Sequence, residues 1–256
     1  MKVVNVRNKM IGIGTPKLCV SLVGRTKQEI QQELVLISKK YVDIVEWRLD
    51  FFEYSNQLNH VIEMLTYIRA SLDDIPLMLT LRTLSQGGSK EIEEKQYTTL
   101  LHHVMKSDYV DMIDIEYNAN ELQIKNLIVQ AHTYQKKVIL SHHDFKKTPS
   151  YEELIELWKR MQLMGSDIVK VAVMPKDYVD VSTLMKASFF MHKWYAKQPI
   201  VAISMSSLGS VSRVCAQAIG SAITFASLHT PSAPGQWNVK EMKYMLESLE
   251  NIHLSH

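Results

Sequence analysis

Lys170 sits inside the apolar run SDIVKVAVMP (166–175), between Val169 and Val171. Burying an ammonium without partners is costly. This lysine therefore either has a carboxylate partner or is held partly neutral to do chemistry. Desolvation and neighbouring cations lower a lysine pKa from its ordinary value of about 10.4. A neutral amine attacks a ketone to give a Schiff base, and the iminium acidifies the proton on the adjacent carbon. A base working near neutral pH is then required, a task that suits histidine. His143, in KVILSHHD (137–144), lies one strand candidate earlier at the same C-terminal level. Alternation along a strand puts His143 on the face of Ser141 and His142 on the other face. The plainer alternatives are an ion pair of Lys170 with Asp114 or Glu116, and a purely structural histidine.

These residues need a scaffold that brings strand ends together. Eight short β-rich runs are expected as strands: 18–24, 43–50, 76–82, 111–117, 137–144, 167–175, 199–206 and 222–228. A helical pattern follows each. In 26–41, Ile30, Leu34 and Ile37 share one face. The stretch 150–165 has Pro149 and Ser150 at its start, Glu153 three residues on and Gly165 at its end, which are helix start and stop signals. Eight βα units in 256 residues predict an α/β fold, a (β/α)₈ TIM barrel, as one domain spanning 1–256. An open doubly wound sheet is the rival. No G-x-G-x-x-G follows a strand, which disfavours its dinucleotide-binding form. Residues 3–14 read as an extra N-terminal β-hairpin that could close the barrel bottom.

Barrel active sites lie at the C-terminal strand ends, and residues two apart share a face. Glu46 and Arg48, Thr80 and Arg82, Asp114 and Glu116, and Ser141 and His143 form such pairs on four consecutive strand candidates, with Ser21 and Lys170 on two others. Inward charges in a buried sheet must neutralise one another around a shared pocket; scattered structural ion pairs are the alternative. Arg48, Arg82, Lys170 and Arg213 exceed Glu46, Asp114 and Glu116 by one positive charge, so a small monoanion fits. Arg213, in SSLGSVSRV near an expected helix start, suits a carboxylate, unless it is a solvent-facing helix residue. Glu46, Asp114, Glu116 and His143 could hold a metal, but the neighbouring cations would repel one, so no metal is expected.

Composition narrows the class. The apolar share of 46% and charged share of 22% suit a globular domain with a sizeable core. The formal charge is +2 without a Lys/Arg block, so no nucleic-acid partner is expected. Cys19 and Cys215 show no metal or disulfide spacing and fit a reducing compartment. There is no leader-like apolar segment and no run of about 18 apolar residues. A soluble cytoplasmic protein without a membrane partner is expected.

The stretches VEWRLDFF, LTLRT, DMIDIEY, VILSHHDF, DIVKVAVMP, ISMSSLGSVSR and PSAPGQ run in one order along almost the whole chain. Together they make the chain resemble the type I 3-dehydroquinate dehydratase family. That resemblance implies a (β/α)₈ barrel, a homodimer, and dehydration of 3-dehydroquinate to 3-dehydroshikimate in the shikimate pathway, without metal or organic cofactor. It implies that Lys170 forms the imine, and that His143 removes the adjacent proton and then helps the hydroxyl leave, a syn elimination. Ser21, Glu46, Arg48 and Arg82 match substrate-contacting positions. Arg213, Ser232 and Gln236 match residues that grip the carboxylate and hydroxyls, the last two in a Pro-rich loop that would close over the substrate. Asp114 and Glu116 match a supporting acidic pair. Some relatives carry a glutamate near LSQGG that orients the histidine; Gln86 stands here, and its amide could bond the imidazole but not stabilise imidazolium by charge. A class I aldolase and an inactive binding barrel are the competing functions.

Overall fold

The computed structural model describes residues 3–118 and 120–254. A hairpin, β1 (Val4–Val6) and β2 (Lys9–Ile11), precedes eight parallel strands: β3 (Lys17–Leu22), β4 (Ile44–Arg48), β5 (Leu77–Thr80), β6 (Met112–Glu116), β7 (Lys137–Asp144), β8 (Ile168–Val173), β9 (Ile200–Ser204) and β10 (Ile223–Ala226). The sheet order is β10-β3-β4-β5-β6-β7-β8-β9. A bridge at Ile200 and Ser221, with Ala222 N–H donating to the Ile200 carbonyl (2.8 Å), links the two edges. This is the expected (β/α)₈ barrel, and every strand candidate holds a strand.

A helix follows each barrel strand: α1 (Lys27–Val35), α2 (Leu58–Leu72), α3 (Glu94–Met105), α4 (Glu121–Thr133), α5 (Tyr151–Gln162), α6 (Tyr178–Phe190), α7 (Ser210–Val214) and α8 (Val239–Leu254). Ser150 caps α5 in a reciprocal capping box with Glu153, and Gly165 follows with φ of +92°, as the sequence signals required. α1 stops at Val35 rather than continuing to 41. Ile37 still packs on the core, but from the turn after the helix.

The period of two along each strand builds the interior in layers. Cys19, Ile44, Met78, Met112, Ile139, Ile168 and Ile223 form an apolar lower layer, and Val4, Val6 and Ile11 of the hairpin pack into it from below. Two residues further along the strands stand Ser21, Glu46, Thr80, Asp114, Ser141 and Lys170, all buried. The opposite parity, including Leu18, Val20, Val45, Trp47 and Leu79, packs against the helices. Each such large side chain, fully buried, contributes about 1.5–3 kcal/mol. The apolar floor confines the polar residues to the C-terminal mouth.

Candidate active site

Lys170 lies in β8 at only 5% exposure, with its ammonium 4.1 Å from the centre of the Phe225 ring. Its nearest carboxylate is Asp114, at 3.9 Å, and Asp114 Oδ2 has no hydrogen-bond partner. Glu116 is not its partner. Desolvation lowers the Lys170 pKa, Arg82 adds to this, and Glu46 and Asp114 oppose it. Lys170 is thus a desolvated amine without a tight ion pair, the condition for a nucleophilic lysine.

His143 is on the same mouth, one strand away: Ser141 pairs with Lys170, and His143 with Ala172. Burial, then Arg82, Lys170 and Arg48, hold its pKa well below 6.5, so the ring is neutral at pH 7. Its Nδ1 has no partner. Phe145 stacks near the ring at 6.5 Å between centroids and 19° between planes. Gln86 differs from the expected imidazole contact. Its Oε1 accepts from the His143 backbone N–H (3.0 Å), and its Nε2 donates to the Tyr117 carbonyl (3.2 Å). The amide therefore holds the His143 main chain rather than its ring.

The supporting groups are tightly bonded. Glu46 accepts from Thr80 Oγ1 (2.7 Å) and Ser21 Oγ. Asp114 accepts from Arg82 Nη2 (2.9 Å) and Ser141 Oγ (2.6 Å). Glu116 accepts from Arg82 Nη1 (3.2 Å), Thr83 N–H (2.9 Å) and Thr83 Oγ1 (2.8 Å). The acidic pair therefore positions Arg82, and Asp114 also faces Lys170; neither bonds His143. Burial alone would raise the Glu46 pKa, but Lys170, Arg48 and its hydrogen bonds bring it below the ordinary value.

Arg213 is 2% exposed, which removes the solvent-facing alternative. It is the fourth residue of the five-residue α7, near the helix start as expected and also within its last turn. The only described hydrogen bond of its side chain is from Nη2 to the Pro234 carbonyl (3.2 Å), and its Nε is unpartnered. Burial lowers its pKa to about 10, so it stays charged at pH 7. Ser232 donates from Oγ to Ser21 Oγ (3.0 Å), and Gln236 bonds Ser232 at both ends of its amide (2.9 Å each). Gly235, with φ of +79°, brings the loop backbone so close to Ser206 that a Cβ would meet its carbonyl oxygen at 2.0 Å. The loop is thus seated over the mouth.

Glu46, Arg48, Arg82, Gln86, His143, Lys170, Arg213, Ser232 and Gln236 line one cavity, with about 470 Å³ of space not filled by atoms and part of that open to solvent. Ser21, Asp114 and Glu116 stand behind them through the bonds described above. Sequence reasoning passed over the apolar wall of Phe145, Ala172, Ile203, Met205 and Phe225, although strand parity carried from Lys170 to Ala172 signals it. It also passed over Asp50. This fully buried carboxylate grips Arg48 through two 2.8 Å contacts and accepts from Arg82 N–H (3.3 Å) and Ser89 N–H (3.0 Å). The Glu46, Arg48, Asp50 spacing of two was the available signal. Asp50 corrects the charge balance: the four cations now meet four carboxylates, and Arg213 is the cation without one. Asp50→Asn should lower stability by about 3–5 kcal/mol, because it breaks a buried pair. Denaturant unfolding checks this, and an unchanged midpoint would contradict the pairing.

A cavity with a desolvated amine, a neutral imidazole and an unpaired guanidinium can form an imine with a ketone, move an adjacent proton and hold a carboxylate. The family model described as type I 3-dehydroquinase matches residues 18–253. A 3-dehydroquinate dehydratase of Clostridium novyi is 42% identical over 252 residues, covering 98% of this chain and 100% of the relative. A crystal structure of the type I 3-dehydroquinate dehydratase of Clostridium difficile, described with covalently modified comenic acid, has a TM-score of 0.95 at 41% identity, covering 98% and 99% of the two chains. The 3-dehydroquinate dehydratase structure of Enterococcus faecalis has a TM-score of 0.89 at 39% identity, with 96% and 98% covered.

Proposed function

This chain belongs to the type I 3-dehydroquinase family, and from that premise we propose that it dehydrates 3-dehydroquinate to 3-dehydroshikimate through a Schiff base on Lys170. The observation that carries the mechanism is Lys170 itself: an amine 5% exposed whose nearest carboxylate is 3.9 Å away. Its Nζ attacks the ketone carbon, and loss of water leaves the iminium. His143 takes the proton from the adjacent carbon, and the electron pair enters the iminium to give an enamine. The enamine expels the hydroxyl, which leaves as water with the proton returned by His143. Hydrolysis of the conjugated iminium releases the product and restores Lys170. His143 so takes the proton and protonates the leaving hydroxyl on one face of the ring, in keeping with syn geometry.

Arg213 holds the substrate carboxylate in this reading, its unpartnered Nε and burial supporting that role. Arg48, Arg82, Glu46, Ser21, Ser232 and Gln236 position the hydroxyls and ring. Arg213→Ala should raise KM about 10- to 100-fold, the loss of a charge-assisted contact of about 1.5–3 kcal/mol. An unchanged KM would remove Arg213 from the carboxylate site.

The same reading takes the chain as one barrel domain acting in the cytoplasm without metal or organic cofactor. No helix among the described residues is long and apolar enough to cross a membrane. A homodimer is part of the proposal. The direct test of function is growth of the conjugated enone absorbance when the protein meets 3-dehydroquinate. Absence of that signal from folded protein would overturn the assignment.

A further inference from the structure

Four buried carboxylates surround the mouth, and their eight oxygens are not employed alike. Glu46 accepts from Thr80 Oγ1 on Oε1 and from Ser21 Oγ on Oε2. Asp50 accepts from Arg48 on both oxygens. Glu116 accepts from Arg82 on Oε1 and from Thr83 Oγ1 on Oε2. Asp114 takes both of its bonds, from Arg82 Nη2 (2.9 Å) and Ser141 Oγ (2.6 Å), on Oδ1. Its Oδ2 is the one oxygen of the eight without a hydrogen bond among the described residues. That oxygen faces Lys170 Nζ at 3.9 Å. A buried acceptor left open is uncommon and calls for a reason.

The Schiff base supplies one. A protonated Lys170 must shed a proton before its nitrogen can attack a ketone. Lys170 is 5% exposed, the Phe225 ring covers its ammonium, and Asp114 is fully buried. A substrate seated in the mouth closes the remaining path to water, so the proton has to stay within the cavity. His143 is the other acceptor at the mouth, but burial disfavours its charged form and Arg82, Lys170 and Arg48 oppose it further. Moving the proton to Asp114 turns two buried charges into two neutral groups, which a dry pocket favours.

We propose that Asp114 is a further catalytic residue, the acceptor of the Lys170 proton and its donor to the oxygen that leaves as the imine forms. The proposal rests on the Schiff-base reading and adds to it. Nζ passes one proton to Oδ2, leaving a neutral amine and a carboxylic acid. The nitrogen lone pair bonds to the ketone carbon, and the C=O π pair moves to oxygen. A second proton passes from the nitrogen to that oxygen through the neutral His143 ring, giving the carbinolamine. The nitrogen lone pair then closes the C=N bond as the C–O bond breaks. Asp114 delivers its proton to the departing hydroxyl, two bonds from Nζ, which leaves as water. An iminium and a carboxylate remain, so the total charge is that of the starting ammonium and carboxylate. Hydrolysis runs the same transfers in reverse.

Timed borohydride quenching of a single turnover of 3-dehydroquinate, read by intact mass, gives the rate at which the first adduct appears. In Asp114→Asn that rate should fall at least about 10²-fold, as for a lost general acid–base group. A carboxylate acting only through its charge predicts the opposite sign, because its removal leaves more of Lys170 as neutral amine. Equal or faster imine formation in Asp114→Asn would therefore overturn the proposal and leave the Schiff base standing. Glu116→Gln loosens Arg82 without touching Oδ2 and should slow imine formation less than about fivefold. A loss there as large as in Asp114→Asn would reduce Asp114 to an anchor for Arg82. Should Asp114→Asn fail to fold, the wild-type profile decides. With the proton kept inside, imine formation at saturating substrate is level from about pH 7 to about pH 9; a tenfold rise per pH unit would show the proton going to solvent and overturn the role. No adduct at all in the wild type would overturn the Schiff-base reading itself.

Discussion

Lys170→Ala is expected to lower turnover by about 10⁴-fold or more, equivalent to at least about 5.5 kcal/mol of transition-state stabilisation. The variant keeps the barrel floor, the arginines and His143, so it should still bind substrate. It has no amine to carry the imine, and without that electron sink the proton beside the ketone is far less acidic. The surroundings of Lys170 explain why its nitrogen is reactive. Phe225 covers it, Asp114 stands 3.9 Å away rather than at hydrogen-bond distance, and desolvation favours the neutral amine. Steady-state kinetics on folded protein, checked by circular dichroism, gives the answer. A rate within tenfold of wild type would remove the covalent mechanism.

His143→Ala is expected to separate the chemical steps. The imine should still form, because Lys170 and its environment are intact, while kcat falls about 10²- to 10⁴-fold with loss of the general base. A normal rate would remove His143 as that base. The wild-type pH profile follows from the same geometry. Burial and the cations Arg82, Lys170 and Arg48 hold the His143 pKa well below 6.5. The ring is therefore the neutral base above that depressed value, and becomes protonated as pH falls through it. The His143 limb of kcat/KM should thus lie on the acid side of pH 6.5, with activity rising as pH rises through it. Placing that limb above pH 6.5 would contradict the desolvated, cation-flanked site.

The barrel was legible because eight apolar runs carried β-rich composition and helical patterns between them. The mouth was legible because polar pairs two apart recur at the C-terminal ends of four strands, and alternation turns such pairs inward. What failed to show was the partner of each group. Nothing local tells that Asp114 and Glu116 would divide Arg82 between them, or that Asp50 would hold Arg48. These pairings arise from strand stagger and from the turn after β4. Gln86 shows the same limit: its residue type suggested an imidazole contact, but the loop geometry gives its oxygen to the His143 main chain. Arg213 was ambiguous in a short helix because five residues are too few for periodicity to reveal which face is buried. The apolar lining was overlooked because Ala172, Ile203, Met205 and Phe225 read simply as core.

Borohydride reduction in the presence of 3-dehydroquinate, followed by intact mass and peptide mapping, tests the Schiff base on Lys170 most directly. The predicted result is one covalent adduct per chain, mapped to the peptide that contains Lys170 and lost in Lys170→Ala. Folded, active protein that yields no adduct, or an adduct on another lysine, would contradict it.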